Sequence, residues 1–134
     1  MSGCKFCLMS EGKLSCHKVW EDSRFLAFLD IHPISPGHTL LIPKPHMEYI
    51  FEMDEQLYLE LFRIARKLSG PLRRVTGSKR IGMAIEGFSV PHVHIHLVPV
   101  NEVNELDPNR AVKATDEELS VVAAKIRAEL RAIH

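Results

Sequence analysis

His92-Val93-His94-Ile95-His96-Leu97-Val98 decides how this chain is to be read. Three histidines stand at every second position, with apolar residues between them. In an extended strand successive side chains point to opposite faces. The stretch from His92 to Val100 therefore predicts a strand with all three imidazoles on one face. Val93, Ile95 and Leu97 then face a core. In a helix the same imidazoles would splay around the axis. A row of imidazoles backed by apolar residues either binds a metal or supplies a nucleophile and proton-transfer groups near neutral pH.

Gly87-Phe88-Ser89-Val90-Pro91 leads into this strand. Gly87 permits a ligand to approach the backbone closely, and Ser89 offers a hydroxyl just before the histidines. Backbone N–H groups in such a turn can cradle an anion. A phosphate held there would lie beside an imidazole, which fits phosphoryl or nucleotidyl transfer.

Further out, Ile81 to Ile85 reads as a strand, and so does Thr39 to Ile42, stopped by Pro43 and Pro45. Val19-Trp20-Glu21 and Phe25 to Leu29 read as two strands around the turn Asp22-Ser23-Arg24. Between them and Thr39 lies Asp30 to Gly37, a loop fixed by Pro33, Pro36 and Gly37. Asp54 to Ser69 predicts a helix capped by Asp54, with Leu57, Leu61, Ile64 and Leu68 at helical spacing. Gly70-Pro71 is expected to end it. Thr115-Asp116-Glu117-Glu118 is a capping box that opens a second helix, with Leu119, Val122, Ile126 and Leu130 on its apolar side. Cys4 to Ser15 and Asn101 to Ala114 read as loops. Strict alternation of strand and helix is absent, so an antiparallel sheet with helices packed on it is expected.

The chain has 134 residues, of which 46% are hydrophobic and 25% charged, enough for one globular domain with a real core. Lys plus Arg and Asp plus Glu are 17 each, so the formal net charge is zero. No overall basic field exists to hold nucleic acid or an anionic membrane. No apolar run approaches the ~20 residues that span a bilayer. Three cysteines are an odd count, against a disulfide framework. A reduced, cytoplasmic protein without a nucleic-acid or membrane partner is expected.

Cys4-x-x-Cys7 alone fits a redox pair, a zinc half-site or coincidence. No β-α-β context surrounds it, which lowers the redox reading. Zinc would need two more ligands, and His46 and His92 have no other obvious task. Cys16 reads as an ordinary, partly buried thiol, and His32 and His134 as solvated.

His92-Val93-His94-Ile95-His96-Leu97-Val98 resembles the histidine triad motif of the HIT superfamily. The resemblance extends to Phe28-Leu29-Asp30-Ile31 and to the stretch from Pro36 to His46, which is similar to the family's nucleotide-pocket segment. Cys4-x-x-Cys7 resembles the N-terminal zinc half-site of bacterial members, and Thr115 to Ile133 their C-terminal helix. The resemblance implies an α+β fold with a five-stranded antiparallel sheet and two main helices. It implies a single domain over residues 1–134, with 1–18 as a zinc-binding segment and 115–133 as the last helix. It also implies a homodimer and a pocket for a purine nucleoside monophosphate.

By that resemblance His94 attacks the α-phosphorus, and water then hydrolyses the nucleotidyl-histidine. His96 and His38 are implied as its active-site companions, and Ser89 as a contact to phosphate or leaving group. Asp30 is implied to hold the ribose hydroxyls, and Phe28 and Ile31 to pack on the base. Gly87, Ser89 and His96 complete the implied substrate contacts. Cys4, Cys7, His46 and His92 are the implied ligands of a structural zinc, whose removal should cost stability more than chemistry. Phe88 stands where many relatives carry Gln, and Ala84 and Ile85 where many carry Asn on the preceding strand. Two rival readings accompany this one: a non-catalytic nucleotide-binding module, and a hydrolase whose three triad imidazoles ligate a catalytic metal.

Overall fold

The computed structural model describes residues 3–132. Ile133 and His134, and with them the end of the expected last helix, lie outside the described residues. Five strands form one antiparallel sheet: β1 (Lys18–Glu21), β2 (Phe25–Leu29), β3 (Thr39–Pro43), β4 (Arg80–Ala84) and β5 (Ile95–Val100). Their spatial order is β1-β2-β3-β5-β4. The helices are α1 (Lys5–Ser10), α2 (Glu55–Thr76) and α3 (Asp116–Ala132), with short 3-10 turns at Ile50–Glu52 and Pro108–Arg110.

Strand alternation builds two cores from one sheet. Phe25, Ala27 and Leu29 of β2, Leu41 of β3 and Ile95 and Leu97 of β5 pack with α2 and α3. Leu26, Phe28, Leu40 and Ile42 turn the other way and meet Cys4, Phe6 and Cys7 around α1, together with Val90. The first face is covered by two long helices. The second carries one six-residue helix, and this partial cover leaves room for a site. Across that second face the register aligns Phe28 with Leu40, Leu40 with His96, and His96 with Ala84. From this row Asp30 and His38 lie two residues toward one end of the sheet and His94 two residues toward the other, so strand pairing gathers residues far apart in the chain.

Three expectations need correction. The histidine strand begins at Ile95, not His92. Val93 N–H donates instead to the Met47 carbonyl at 2.7 Å, and His92 N–H to the Val90 carbonyl. The alternation of faces nonetheless persists, since Val93 joins the α2/α3 core. Secondly, α2 does not stop at Gly70-Pro71 but continues to Thr76 and ends at Gly77 in the left-handed conformation, with φ 66°. A proline ring in a helix presses on the Cβ of the residue before it, and Gly70 has none. Pro71 and Leu72 are both buried, so packing offsets the missing hydrogen bond. Thirdly, Lys5–Ser10 is helical rather than loop. Six residues are too few for a periodicity to show.

The predicted caps are present. Asp54 accepts from Leu57 N–H at 3.3 Å. Thr115 Oγ1 accepts from Glu118 N–H, and the Glu118 carboxylate accepts from Thr115 N–H in return.

Candidate active site and metal centre

Each histidine has two ring nitrogens, and the partner of one decides what the other can do. His94 is 2% exposed. Its Nδ1 lies 2.7 Å from the His92 carbonyl oxygen. A carbonyl only accepts, so His94 carries its proton on Nδ1 and keeps a lone pair on Nε2. His38 shows the reverse arrangement. Ile34 N–H donates to His38 Nδ1 at 3.0 Å. Burial pushes His38 down to about 4, the Asp30 carboxylate pulling up and His96 pushing further down. The neutral ring therefore holds its proton on Nε2 and donates it to His96 Nδ1, 2.9 Å away. Neutral His96 is left with its proton on Nε2. Burial, then the neighbouring His94, also lowers the His96 pKa. The His94 and His96 rings are 5.0 Å apart. One thus offers a free lone pair beside the other's N–H.

Asp30 ends β2 opposite His38, where the ladder extends through Asp30 N–H to the His38 carbonyl. One carboxylate oxygen accepts from His32 N–H at 2.9 Å, a turn-capping bond. The other stands 3.7 Å from His38 Nε2. Asp30, Ile31, Phe28, Ser89, His94 and His96 all line one cavity of about 570 Å³ on the second face of the sheet. Ser89 is exposed at its wall. A larger cavity of about 700 Å³ lies behind the 33–38 loop, against the start of α3. His38 borders it, but neither His94 nor His96 does; those two triad rings open onto the smaller one.

Gly87 does not line that cavity. It has φ 87°, and a Cβ there would stand 3.2 Å from the Glu48 carbonyl. Its close approach is to the chain itself. Sequence reasoning also left Phe6 unassigned. This residue lines the cavity and stands edge-on to His94, 5.2 Å between ring centroids. Its position between the two cysteines was the available signal.

His92 turns away from the other two triad rings. Its Nε2–H donates to the Pro43 carbonyl at 2.7 Å. Its Nδ1 faces Cys4 Sγ at 3.4 Å and Cys7 Sγ at 3.5 Å. His46 Nδ1 lies 3.2 Å from Cys7 Sγ, with Glu48 at 3.5 Å behind its Nε2. The four ligand atoms lie within 4.8 Å of one another. A tetrahedral ion with bonds of about 2.0–2.3 Å needs edges of about 3.3–3.8 Å, so the donor set fits. The Pro43 carbonyl and the Glu48 carboxylate supply the outer partners that orient ligating histidines. Burial, reinforced by the Cys4 thiol, raises the Cys7 thiol pKa, a cost that a bound cation reverses.

This division also bears on the tris-histidine metal reading. His92 faces the cysteines, His94 Nδ1 is taken by a carbonyl, and His96 Nδ1 by His38. Among the described residues the three triad rings do not form one ligand set. Asp30, His38 and His96 do come together. The Ile34 N–H on His38 Nδ1, however, keeps a proton on the nitrogen that would ligate.

The chain is similar to known proteins in both sequence and fold. An uncharacterized HIT-like protein of Borreliella burgdorferi is 38% identical over 106 residues, covering 74% of this chain and 76% of the relative. An adenosine 5′-monophosphoramidase of Schizosaccharomyces pombe is 34% identical over 99 residues, covering 72% and 73%. The crystal structure of a hypothetical histidine triad nucleotide-binding protein of Sulfolobus tokodaii superposes with a TM-score of 0.85 at 28% identity, over 97% of this chain and 93% of that one. The family model described as HIT domain matches residues 11–103, and the chain belongs to the HIT family.

Proposed function

We propose that this protein hydrolyses conjugates of a purine nucleoside monophosphate, of the phosphoramidate kind, through a nucleotidyl intermediate on His94. The observation that carries this reading is the 2.7 Å contact from His94 Nδ1 to the His92 carbonyl. It fixes the tautomer in which Nε2 is the nucleophile. Nε2 forms a bond to the α-phosphorus as the bond from phosphorus to the leaving group breaks. The leaving amine takes up a proton. Water then displaces His94 from phosphorus and releases a proton, so the sum is hydrolysis. His96, with its proton on Nε2, donates a hydrogen bond to the phosphoryl or leaving atom. His38 holds His96 in that tautomer. Ser89 adds a hydroxyl at the cavity wall. Asp30 accepts from the ribose, and Phe28 and Ile31 flank the base. The activity named for the fission-yeast relative supports the same substrate class.

Cys4, Cys7, His46 and His92 would hold a structural zinc, with four protein ligands and no open position. We assign residues 1–134 to one domain and, from three free cysteines and a thiol metal site, place it in the reducing cytoplasm. No helix of the described residues is long and apolar enough to cross a membrane.

We also propose a homodimer through the β4 edge. At the other edge of the sheet Arg127 covers the Lys18 carbonyl, whereas β4 is an open edge with Met83 exposed. An antiparallel pairing centred on Met83 would set Arg80 opposite Glu86 of the partner subunit. Sedimentation of wild type and of Met83→Lys checks this, and an unchanged assembly in the variant would count against that edge.

The test of function is a panel of adenosine and guanosine phosphoramidates, aminoacyl adenylates and dinucleotide polyphosphates. Turnover of phosphoramidates in the presence of a chelator, with an adduct on His94, is expected. Tight nucleotide binding without turnover of any of these would favour the non-catalytic module instead.

A further inference from the structure

The nucleophile is held by two groups, and both belong to the metal-binding segments. One is the His92 carbonyl, which accepts a hydrogen bond from His94 Nδ1–H while the His92 ring faces the cysteines. The other is Phe6, which sits between Cys4 and Cys7. Phe6 is 3% exposed. Its ring stands nearly perpendicular to His94 at 5.2 Å and to His92 at 5.9 Å, and edge-on to Phe28 at 5.4 Å. Edge-to-face packing of this kind restricts where both rings can lie. The helix that carries Phe6 has only six residues, with Cys4 Sγ as its cap. So short a helix is not stable by itself. Its position therefore depends on what Cys4, Phe6 and Cys7 grip.

We infer that the metal centre is a positioning device for His94, and that Phe6 is the residue that transmits it. With the four ligands drawn together, α1 presses Phe6 against one side of the imidazole and His92 presents its carbonyl to Nδ1. Without the metal, both supports loosen at once. The inference rests on His94 being the nucleophile and goes beyond a purely structural metal. Phe6 is thus a positioning residue, and metal loss slows the chemical step rather than only lowering stability.

The test uses full-length protein as wild type, Phe6→Leu and Phe6→Tyr, each with zinc content and thermal midpoint measured. Adenosine 5′-phosphoramidate is the probe in single-turnover experiments, with product nucleotide affinity measured separately. Phe6→Leu preserves apolar bulk, so a merely structural role predicts wild-type rates. The expected result is a rate of His94 nucleotidylation lowered on the order of tenfold or more, since small misplacements of a reacting group are costly. Nucleotide affinity should change less than about threefold by the same argument. Phe6→Tyr, which keeps the ring that packs on His94, should recover much of the rate lost in Phe6→Leu. Stripping the metal from wild type should slow the step by at least that factor, and stripping Phe6→Leu should add less, since only the His92 carbonyl is then left to loosen. Ring-nitrogen NMR of His94 should show one tautomer in metal-loaded wild type and a mixture in stripped wild type or Phe6→Leu.

Wild-type rates in metal-loaded Phe6→Leu would overturn the inference, as would equal effects of stripping in both proteins. Should Phe6→Leu not retain metal, a wild-type rate in stripped, folded wild type overturns it. Failure of the underlying reading looks different, because wild type itself would then form no adduct on His94. In that case the ring-nitrogen signal alone decides, and an unchanged tautomer on stripping defeats the inference.

Discussion

Two groups of histidines lie side by side in this molecule with nearly the same ring spacing. His46 and His92 are 5.1 Å apart, His94 and His96 5.0 Å, and His38 and His96 5.1 Å. Their chemistry differs because of what stands behind each ring. In the first group an oxygen acceptor holds each Nε2–H, from Pro43 or Glu48, so both Nδ1 lone pairs turn toward two sulfurs. In the second the rings bond to backbone and to each other, and the His94 Nε2 is the lone pair left over. Residue type and sequence spacing do not separate these roles. The second hydrogen bond of each imidazole does.

The largest expected effect comes from removing that lone pair. His94→Ala should lower turnover of a phosphoramidate by on the order of 10³-fold or more, with nucleotide binding still detectable. Near-wild-type turnover would erase the distinction between the two groups, because the second would then have no nucleophile. The mirror experiment is at the other group. Cys7→Ser should abolish the expected one zinc per chain and lower the thermal midpoint by roughly 11–18 °C, as a loss of about 3–5 kcal/mol implies for a chain of this size. Metal analysis and calorimetry check it. A variant that keeps both its zinc and its midpoint would show that the four residues are not a ligand set.

How much of this contrast the sequence carried depends on the distance over which each bond acts. The face alternation of Val93, Ile95 and Leu97 was legible, because it is local and has period two. The start of the strand was not, since Val93 leaves the ladder for Met47 and pairs through tertiary packing. The length of α2 was hidden for a similar reason, since Gly70-Pro71 reads as a stop until the burial of Pro71 and Leu72 is seen. The metal set was reached by family resemblance, His46 and Cys7 being brought together across 39 positions. The contact of His38 with His96 spans 58 positions and exists only because β3 pairs with β5. No spacing rule points to it.

That contact makes a pH prediction. His38 has a folded value of about 4 against an ordinary 6.5. Between those values the unfolded chain binds the proton and the folded chain does not, so protonation favours unfolding. Stability from this group is full above about 6.5, falls as pH drops toward 4, and is flat below. The shift corresponds to on the order of 3 kcal/mol at most. His38→Asn, whose side-chain oxygen can still accept from Ile34 N–H, should show a shallower fall over the same window in urea-unfolding midpoints. An equally steep fall in the variant would assign the dependence elsewhere and leave His38 without a buried neutral role.

The smallest effect tests the edge of the second group, where Asp30 stands beside His38. Asp30 has two tasks available to it. One oxygen caps the turn through His32 N–H, and the other faces His38 from 3.7 Å. Removing the whole carboxylate would therefore confuse loop geometry with ligand contact. Asp30→Asn separates them, because the amide oxygen still accepts from His32 while charge and one acceptor are lost. If Asp30 holds the 2′,3′-diol, binding of a ribonucleoside monophosphate should weaken by about 1.5 kcal/mol, roughly tenfold, the low end for hydrogen bonds to a charged group. A 2′,3′-dideoxynucleotide has no diol to lose, and its affinity should be unchanged by the substitution. Titration calorimetry with both ligands reads the difference. Equal weakening of the two would mean that Asp30 acts through the loop and His38 alone, and that the second group ends at its histidines.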